Sequence, residues 1–156
     1  RHILDCAALF VILKSRNRFE GPILDIGSGA GLPGIVLAIL APEVTVTLCE
    51  PREKRVQFLL EVKRRLNLKN VEVNQARAEQ LAAGKGKEFQ IITARAVASP
   101  EAVLKYGRGL LQPKGAAALM VGPRAESKVE SALLSEVIEY RLGDGRSRAV
   151  LIIGGY

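Results

Sequence analysis

Ile23-Leu24-Asp25-Ile26-Gly27-Ser28-Gly29-Ala30-Gly31-Leu32-Pro33-Gly34 is the stretch from which the fold can be read. It opens as a short apolar run, passes through a Gly-rich turn and continues into Ile35-Val36-Leu37-Ala38-Ile39-Leu40. The pattern predicts a buried strand over 23–26, a tight loop, and a helix that stops at Ala41-Pro42. Pro33 suits the first turn of that helix, where its missing N–H costs nothing. Four glycines within residues 27–34 let the backbone approach a ligand closely and take positive φ angles. The free N–H groups at the start of the helix point into the same loop. A nucleotide-like ligand fits such a loop; a ligand-free turn is the plainer alternative, although a mere turn rarely needs four glycines.

Two ligand classes remain open at this point. Gly29-Ala30-Gly31-Leu32-Pro33-Gly34 satisfies the G-x-G-x-x-G pattern of dinucleotide binding. Starting earlier, Asp25-x-Gly27-x-Gly29-x-Gly31 resembles motif I of the S-adenosylmethionine-dependent methyltransferases. The apolar strand runs directly into Asp25 and Gly27, which favours the second pattern. Val44-Thr45-Val46-Thr47-Leu48-Cys49 is a β-branched strand ending at Glu50. That carboxylate stands about twenty residues past the loop, where such folds hold the hydroxyls of a ribose. A solvated loop acid is its bland reading.

Downstream, Val56, Leu59, Val62 and Leu66 form one apolar stripe on a helix over 52–66, and Lys54, Arg55, Lys63, Arg64 and Arg65 cover the rest. This is the densest basic cluster, a solvated face or a set of phosphate contacts. Further strands are expected at 71–73, 89–94, 116–121, 136–142 and 148–153, and helices at 2–14, 100–111 and roughly 125–134. Residues 75–79 lead into a short helix or loop. Arg95 stands at a strand's C-terminal end, the edge where open α/β sheets bind substrates. The close spacing of the last two strands around Gly143-Asp144-Gly145 reads as an antiparallel hairpin.

The 156 residues fit one domain, 1–156, and the start at Arg1 suggests residues missing upstream. No apolar run reaches membrane-spanning length. Cys6 and Cys49, without C-x-x-C spacing, read as reduced, buried residues of a cytoplasmic protein. Lys and Arg total 23 against 16 acids, a net charge of +7 that suits a polyanion partner or simply a soluble surface. With aromatics at only 4%, base-stacking platforms of the single-strand-binding type are unexpected. One His and no metal-ligand cluster leave no metal site to assign.

Taken in order, the chain resembles the bacterial 16S ribosomal RNA guanine-N7 methyltransferase family, also called glucose-inhibited division protein B. The matching pieces are His2-Ile3-Leu4-Asp5, Asp25 through Gly34, Glu50 with Lys54-Arg55 and Phe58-Leu59, Arg77-Ala78-Glu79, Arg95-Ala96-Val97-Ala98, and Arg146-Ser147-Arg148. The resemblance implies an α/β fold: a doubly wound, Rossmann-like, seven-stranded class I methyltransferase sheet with a C-terminal antiparallel hairpin. It implies transfer of a methyl group from S-adenosylmethionine to N7 of a guanine in 16S rRNA or the small ribosomal subunit. Nothing in the sequence looks like a symmetric interface, so a monomer is expected. By carry-over, Gly27, Ser28, Gly29 and Gly31 line the methionine side of the cofactor, and Asp25 and Leu32 are further cofactor-binding residues. Glu50 holds its ribose, and Ala78 and Glu79 border its adenine. Arg95 reaches the cofactor or the target base, and His2 is the second catalytic candidate. His2, Lys54 and Arg148 are candidates for RNA contact or for support of the site, and Arg55 is a further RNA-binding candidate. The family usually has Lys-Gly where Val121-Gly122 stands, so one cation is absent. An NAD-dependent oxidoreductase and a non-catalytic RNA-binding or ribosome-assembly factor are the rival readings.

Overall fold

A computed structural model describes residues 2–84, 86–95, 100–122 and 136–154. The expected helix at 125–134 and the Ala96-Val97-Ala98 motif lie outside the described residues. Seven strands, β1 (Ile23–Ile26), β2 (Val46–Cys49), β3 (Val71–Asn74), β4 (Phe89–Arg95), β5 (Leu111–Val121), β6 (Glu136–Arg141) and β7 (Ser147–Gly154), form one sheet in the order β3-β2-β1-β4-β5-β7-β6. The first five are parallel neighbours, while β7 pairs antiparallel with both β5 and β6. This is the expected doubly wound sheet, completed by its antiparallel hairpin. The connecting helices are α1 (His2–Lys14), α2 (Gly34–Leu40), α3 (Glu53–Arg65), α4 (Ala78–Gly84) and α5 (Pro100–Leu110).

Period-two alternation along the strands divides the core between the two faces of the sheet. Ile23, Ile91, Ala118, Val150 and Ile152 pack with Leu9 and Leu13 of α1, Leu37 of α2 and Leu59 of α3. Their sequence neighbours Leu24, Ile92, Ala117, Leu151 and Ile153 pack with Leu81 of α4 and Val103, Leu104 and Leu110 of α5. Phe89 and Ile91 are two apart yet face opposite sides, because the β4–β5 register shifts between them. The same irregularity lets β5 begin at Leu111, ahead of the expected residue 116, and pass through Pro113. Along α3, Val56 and Leu59 are buried, but Leu66 falls at the helix C-cap and is exposed, so the apolar stripe stops a turn early.

Two features fix where a ligand can sit. All five parallel strands present their C-terminal ends on one edge. The antiparallel hairpin brings the start of β7 to that edge as well, with Ala149 opposite Val121 and Arg148 opposite Tyr140. The Gly loop, Glu50, Arg95 and Arg148 therefore share one edge of the sheet, although up to 121 residues separate them in sequence.

Candidate active site at the C-terminal edge of the sheet

The Gly loop is laced to the ends of β1 and β2. Gly27 and Ser28 donate their N–H groups to the Cys49 carbonyl at 2.8 and 3.2 Å, and the Ser28 hydroxyl donates to the Asp25 carbonyl at 2.8 Å. Gly27, Gly29 and Gly31 all have positive φ. At Gly34 the requirement is space. A Cβ there would lie 2.3 Å from Leu48 Cδ2 and 2.9 Å from Asp25 Oδ2, so only glycine lets α2 start so close to the sheet.

Asp25 is fully buried beneath this loop. Its Oδ2 accepts the Gly34 N–H at 3.2 Å and its Oδ1 accepts the Thr93 hydroxyl at 2.9 Å, which joins β1, β4 and the start of α2. Burial pushes its carboxyl up to about 6, against the pull of the Thr93, Gly34 and Ser28 hydrogen bonds. The expectation that Asp25 lines the ligand is corrected: the carboxylate holds the loop from below and has no exposed surface.

Glu50 is also buried, at 2% exposure, and follows β2 beside the loop. Oε2 accepts the Gly29 N–H and Oε1 the Arg52 N–H, both at 3.0 Å. The Arg55 guanidinium lies 3.7 Å from Oε2 and is half exposed. A Cβ on Gly29 would meet Arg55 Nη1 at 3.4 Å, so the same guanidinium covers Gly29. Arg55, expected to point at RNA, is instead held over Glu50. Lys54 next to it is exposed, as expected of a phosphate contact. On the rest of α3, Glu61 binds both Arg64 and Arg65 at 2.6–2.9 Å, which draws its carboxyl down to about 2. Ala78 is buried at the start of α4, while Glu79 is exposed and accepts the Tyr106 hydroxyl at 2.8 Å. Leu32 is half-buried.

A second group of charges surrounds a cleft of about 200 Å³ beyond the ends of β4 and β5, lined by Asp5, Arg95, Met120, Val121, Gly122, Tyr140 and Arg148. Arg95 Nη2 lies 2.5 Å from His2 Nδ1 and 3.9 Å from Asp5 Oδ2. A guanidinium can only donate, so His2 Nδ1 is the acceptor in this contact. Arg148 is bound at 2.5 Å to Asp5 Oδ1 through Nε and at 2.6 Å to Asp144 Oδ2 through Nη2. Its side chain is only 11% exposed. The expected RNA contact by Arg148 is therefore corrected: two carboxylates take up its charge inside the protein. Tyr140 donates to Asp5 Oδ1 at 3.5 Å, and burial with the nearby Asp5 charge pushes its phenol up to about 12.

The structure brings Gly29, Glu50 and Arg55 together in one group and His2, Asp5, Arg95, Tyr140 and Arg148 in another. Sequence reasoning assigned no role to Asp5, Thr93, Tyr140 or Asp144. Asp5 left a signal, because an acid flanks the apolar stripe Cys6, Leu9, Ile12 and Leu13, and such a charge needs a partner. Cys6 and Cys49 are free and buried, and burial pushes their thiols up to about 11 and 12, so neither is a thiolate nucleophile. Among the described residues no three His, Cys, Asp or Glu side chains gather as a metal ligand set, and no helix is long and apolar enough to cross a membrane.

A family model described as rRNA small subunit methyltransferase G, GidB, matches residues 1–140. The ribosomal RNA small subunit methyltransferase G of a Nocardioides species is 41% identical over 132 residues, covering 85% of this chain and 50% of its own length. Its namesake from Thermotoga neapolitana is 36% identical over 156 residues, covering 94% and 68%. The chain thus spans about half to two-thirds of the length of these relatives. Among solved structures, an rRNA methylase from Streptococcus thermophilus superposes with a TM-score of 0.64 at 15% identity, covering 93% of this chain and 96% of its own. The magnesium protoporphyrin IX methyltransferase of Synechocystis, solved with bound SAM, gives 0.72 at 17% identity, covering 99% and 80%. At these identities the likeness is one of fold.

Proposed function

The chain belongs to the GidB family, rRNA small subunit methyltransferase G, and from that premise we propose that it transfers a methyl group from S-adenosylmethionine to N7 of a guanine in 16S rRNA. One observation carries the reading: the Gly loop after β1 is tied, through the Gly29 N–H, to a carboxylate at the end of β2. In this fold the two elements bracket the ribose of a nucleoside cofactor.

The donor set fits that group. A carboxylate has about four acceptor positions. The Gly29 and Arg52 N–H groups take one on each oxygen of Glu50, which leaves one apiece for two vicinal hydroxyls. Arg55 covers this approach, and its half-exposed side chain can swing aside without disturbing the core. Gly27, Ser28, Gly29, Gly31 and Leu32 form the loop under the methionine moiety, and Ala78 and Glu79 stand at the adenine end. Asp25 acts from beneath as the support of the loop.

When bound, S-adenosylmethionine supplies a methyl group that a neutral guanine N7, with its free lone pair, accepts without first losing a proton. The protein's task is then to align base and methyl donor, which alone supplies a large share of a rate enhancement. His2 positions Arg95 by accepting its hydrogen bond and has no proton to move in this reaction. Exposed Lys54 supplies phosphate attraction from the start of α3. The protein acts as a monomer in the cytoplasm, on rRNA or on the small subunit.

The test is methyl transfer from labelled S-adenosylmethionine to unmodified small-subunit RNA and to subunits, with the product base identified by mass spectrometry. We expect 7-methylguanine. Label in another base corrects the acceptor, and an absence of cofactor binding in calorimetry overturns the reading of the Gly loop.

A further inference from the structure

The cleft at Asp5 has a property that a purely structural ion cluster does not need. Asp5 is over nine-tenths buried, yet it lines an opening beyond the strand ends. Its Oδ1 is held by Arg148 Nε at 2.5 Å and by the Tyr140 hydroxyl at 3.5 Å. Among the described residues its Oδ2 has only Arg95 Nη2, at 3.9 Å, beyond hydrogen-bond reach. An under-satisfied buried carboxylate oxygen is costly, and facing a cleft it is an acceptor awaiting a donor. Among the described residues the Arg95 guanidinium beside it meets only His2 and Asp5, which leaves it N–H groups to spare. The cleft thus offers one donor and one acceptor side by side, about 4 Å apart.

We propose that this cleft seats the target guanine by its Watson–Crick edge, with Arg95 donating to O6 and Asp5 Oδ2 accepting from N1–H and the 2-amino group. The assignment rests on the methyltransferase reading above and adds to it the base-reading residues. Guanine presents an acceptor followed by donors along that edge, which complements the pair. Adenine presents a donor at N6 and an acceptor at N1, which opposes both members. A cleft of about 200 Å³ is smaller than the usual range for drug-sized ligands and suits a single base. Reading this edge leaves N7 free on the other side of O6, and β4, which carries Arg95, is the strand next to β1 and its Gly loop.

The same contact gains strength during the reaction. The N7 lone pair forms the new N–C bond, the C–S bonding pair stays on sulfur, and no proton leaves. The purine therefore acquires the positive charge that the sulfonium loses, and its N1–H becomes a stronger donor toward Asp5. A preset carboxylate in a partly desolvated cleft stabilises that product-like charge more than it stabilises the neutral base.

The test is a titration of the isotope-labelled protein with GMP, IMP and AMP, read by NMR at the Arg95, Tyr140 and Arg148 side chains and their backbone amides. GMP is expected to shift these signals and to bind about tenfold or more tightly than AMP, as expected for hydrogen bonds to charged groups. IMP, which shares O6 and N1–H with guanine, is expected to bind nearer to GMP than to AMP. In D5N, Arg148 keeps the amide oxygen on its own side and turns the NH2 toward the cleft, so the preference for GMP over AMP is expected to collapse. Equal binding of GMP and AMP by the wild type, shifts that map elsewhere, or a preference that survives in D5N would each overturn the assignment. If D5N fails to fold, the wild-type ratios decide alone. Methyl transfer to guanine without base discrimination in the cleft defeats only this inference. Discrimination without methyl transfer defeats the catalytic reading and keeps the guanine seat.

Discussion

Replacing Glu50 by Ala separates two roles of one carboxylate, the backbone clamp seen in the structure and the ribose acceptor proposed above. Its two oxygens accept the Gly29 and Arg52 N–H groups at 3.0 Å, and its side chain is almost wholly buried. Truncation leaves both donors in a partly buried place with no protein acceptor. Each such orphan costs about 1–3 kcal/mol, and water reaching half-exposed Gly29 trims the total to about 2–4 kcal/mol. For a chain of 156 residues that is a fall in Tm of about 5–15 °C. E50Q keeps one acceptor and sets an NH2 against an N–H, so it should fall between wild type and E50A. Differential scanning calorimetry of the three proteins measures this. Calorimetric titration with S-adenosylhomocysteine, below the Tm of every variant, reads the second role. Loss of the ribose acceptor should weaken binding by about 1–3 kcal/mol, roughly 5- to 150-fold. A Tm for E50A within about 2 °C of wild type would refute the clamp, and an unchanged affinity would remove Glu50 from the ribose site whatever the Tm.

Three further outcomes follow from the geometry. G34A should lose about 1–3 kcal/mol in denaturant unfolding, because its Cβ would lie 2.3 Å from Leu48 Cδ2; an unchanged midpoint would contradict that packing. Asp25 binds its proton more tightly folded than unfolded, at about 6 against 3.8. Its contribution to stability is therefore present below pH ~4 and lost as pH rises through ~6, by about 3 kcal/mol at 1.36 kcal/mol per pH unit. D25N should lack that loss, so unfolding curves of the two proteins from pH 4 to 7.5 should move apart in favour of D25N, and parallel curves would contradict the carboxyl's assignment. K54A should reduce the salt slope of RNA binding by about 1 and leave Tm alone, whereas R148A, which unpairs buried Asp5, should lower Tm and leave the slope. The reverse pattern would restore Arg148 to the RNA face.

What could be read from the sequence was what local pattern encodes. Strand β1, the Gly loop and the carboxylate ending β2 lie within 28 residues, and their spacing carries the fold's signature. The antiparallel hairpin was legible from the short gap between two β-rich runs. The fate of individual charges was not. Arg148 looks like any cation next to Arg146, yet its partner Asp5 is 143 positions away and meets it only because β7 enters the sheet beside β5. Arg55 sits in a basic run, and only the turn at Glu50 decides that it folds back over the Gly loop. Asp25 shows the same limit: motif position identifies a loop acid, but only packing reveals that Thr93 and the Gly34 N–H enclose it. Leu66 kept the helical period and still ended exposed, because the helix stops at Arg65.

The strand order β5-β7-β6 sets the order of events when the protein is made. A chain emerging from the ribosome presents β1 to β5, which can align as each appears, and then β6, which has no neighbour of its own among them. Only when β7 emerges can the sheet close, with β7 fitting between two strands already made. Until then β5 offers an open, apolar edge over Ala116–Met120, the kind of surface that invites pairing with another chain. Asp5, made before any strand of the sheet, waits just as long for Arg148. Assembly of the Asp5 cleft is thus a late step that depends on long-range contacts. A nascent chain stalled before residue 147 would carry a nearly finished Gly loop and an Asp5 cleft that still lacks Arg148.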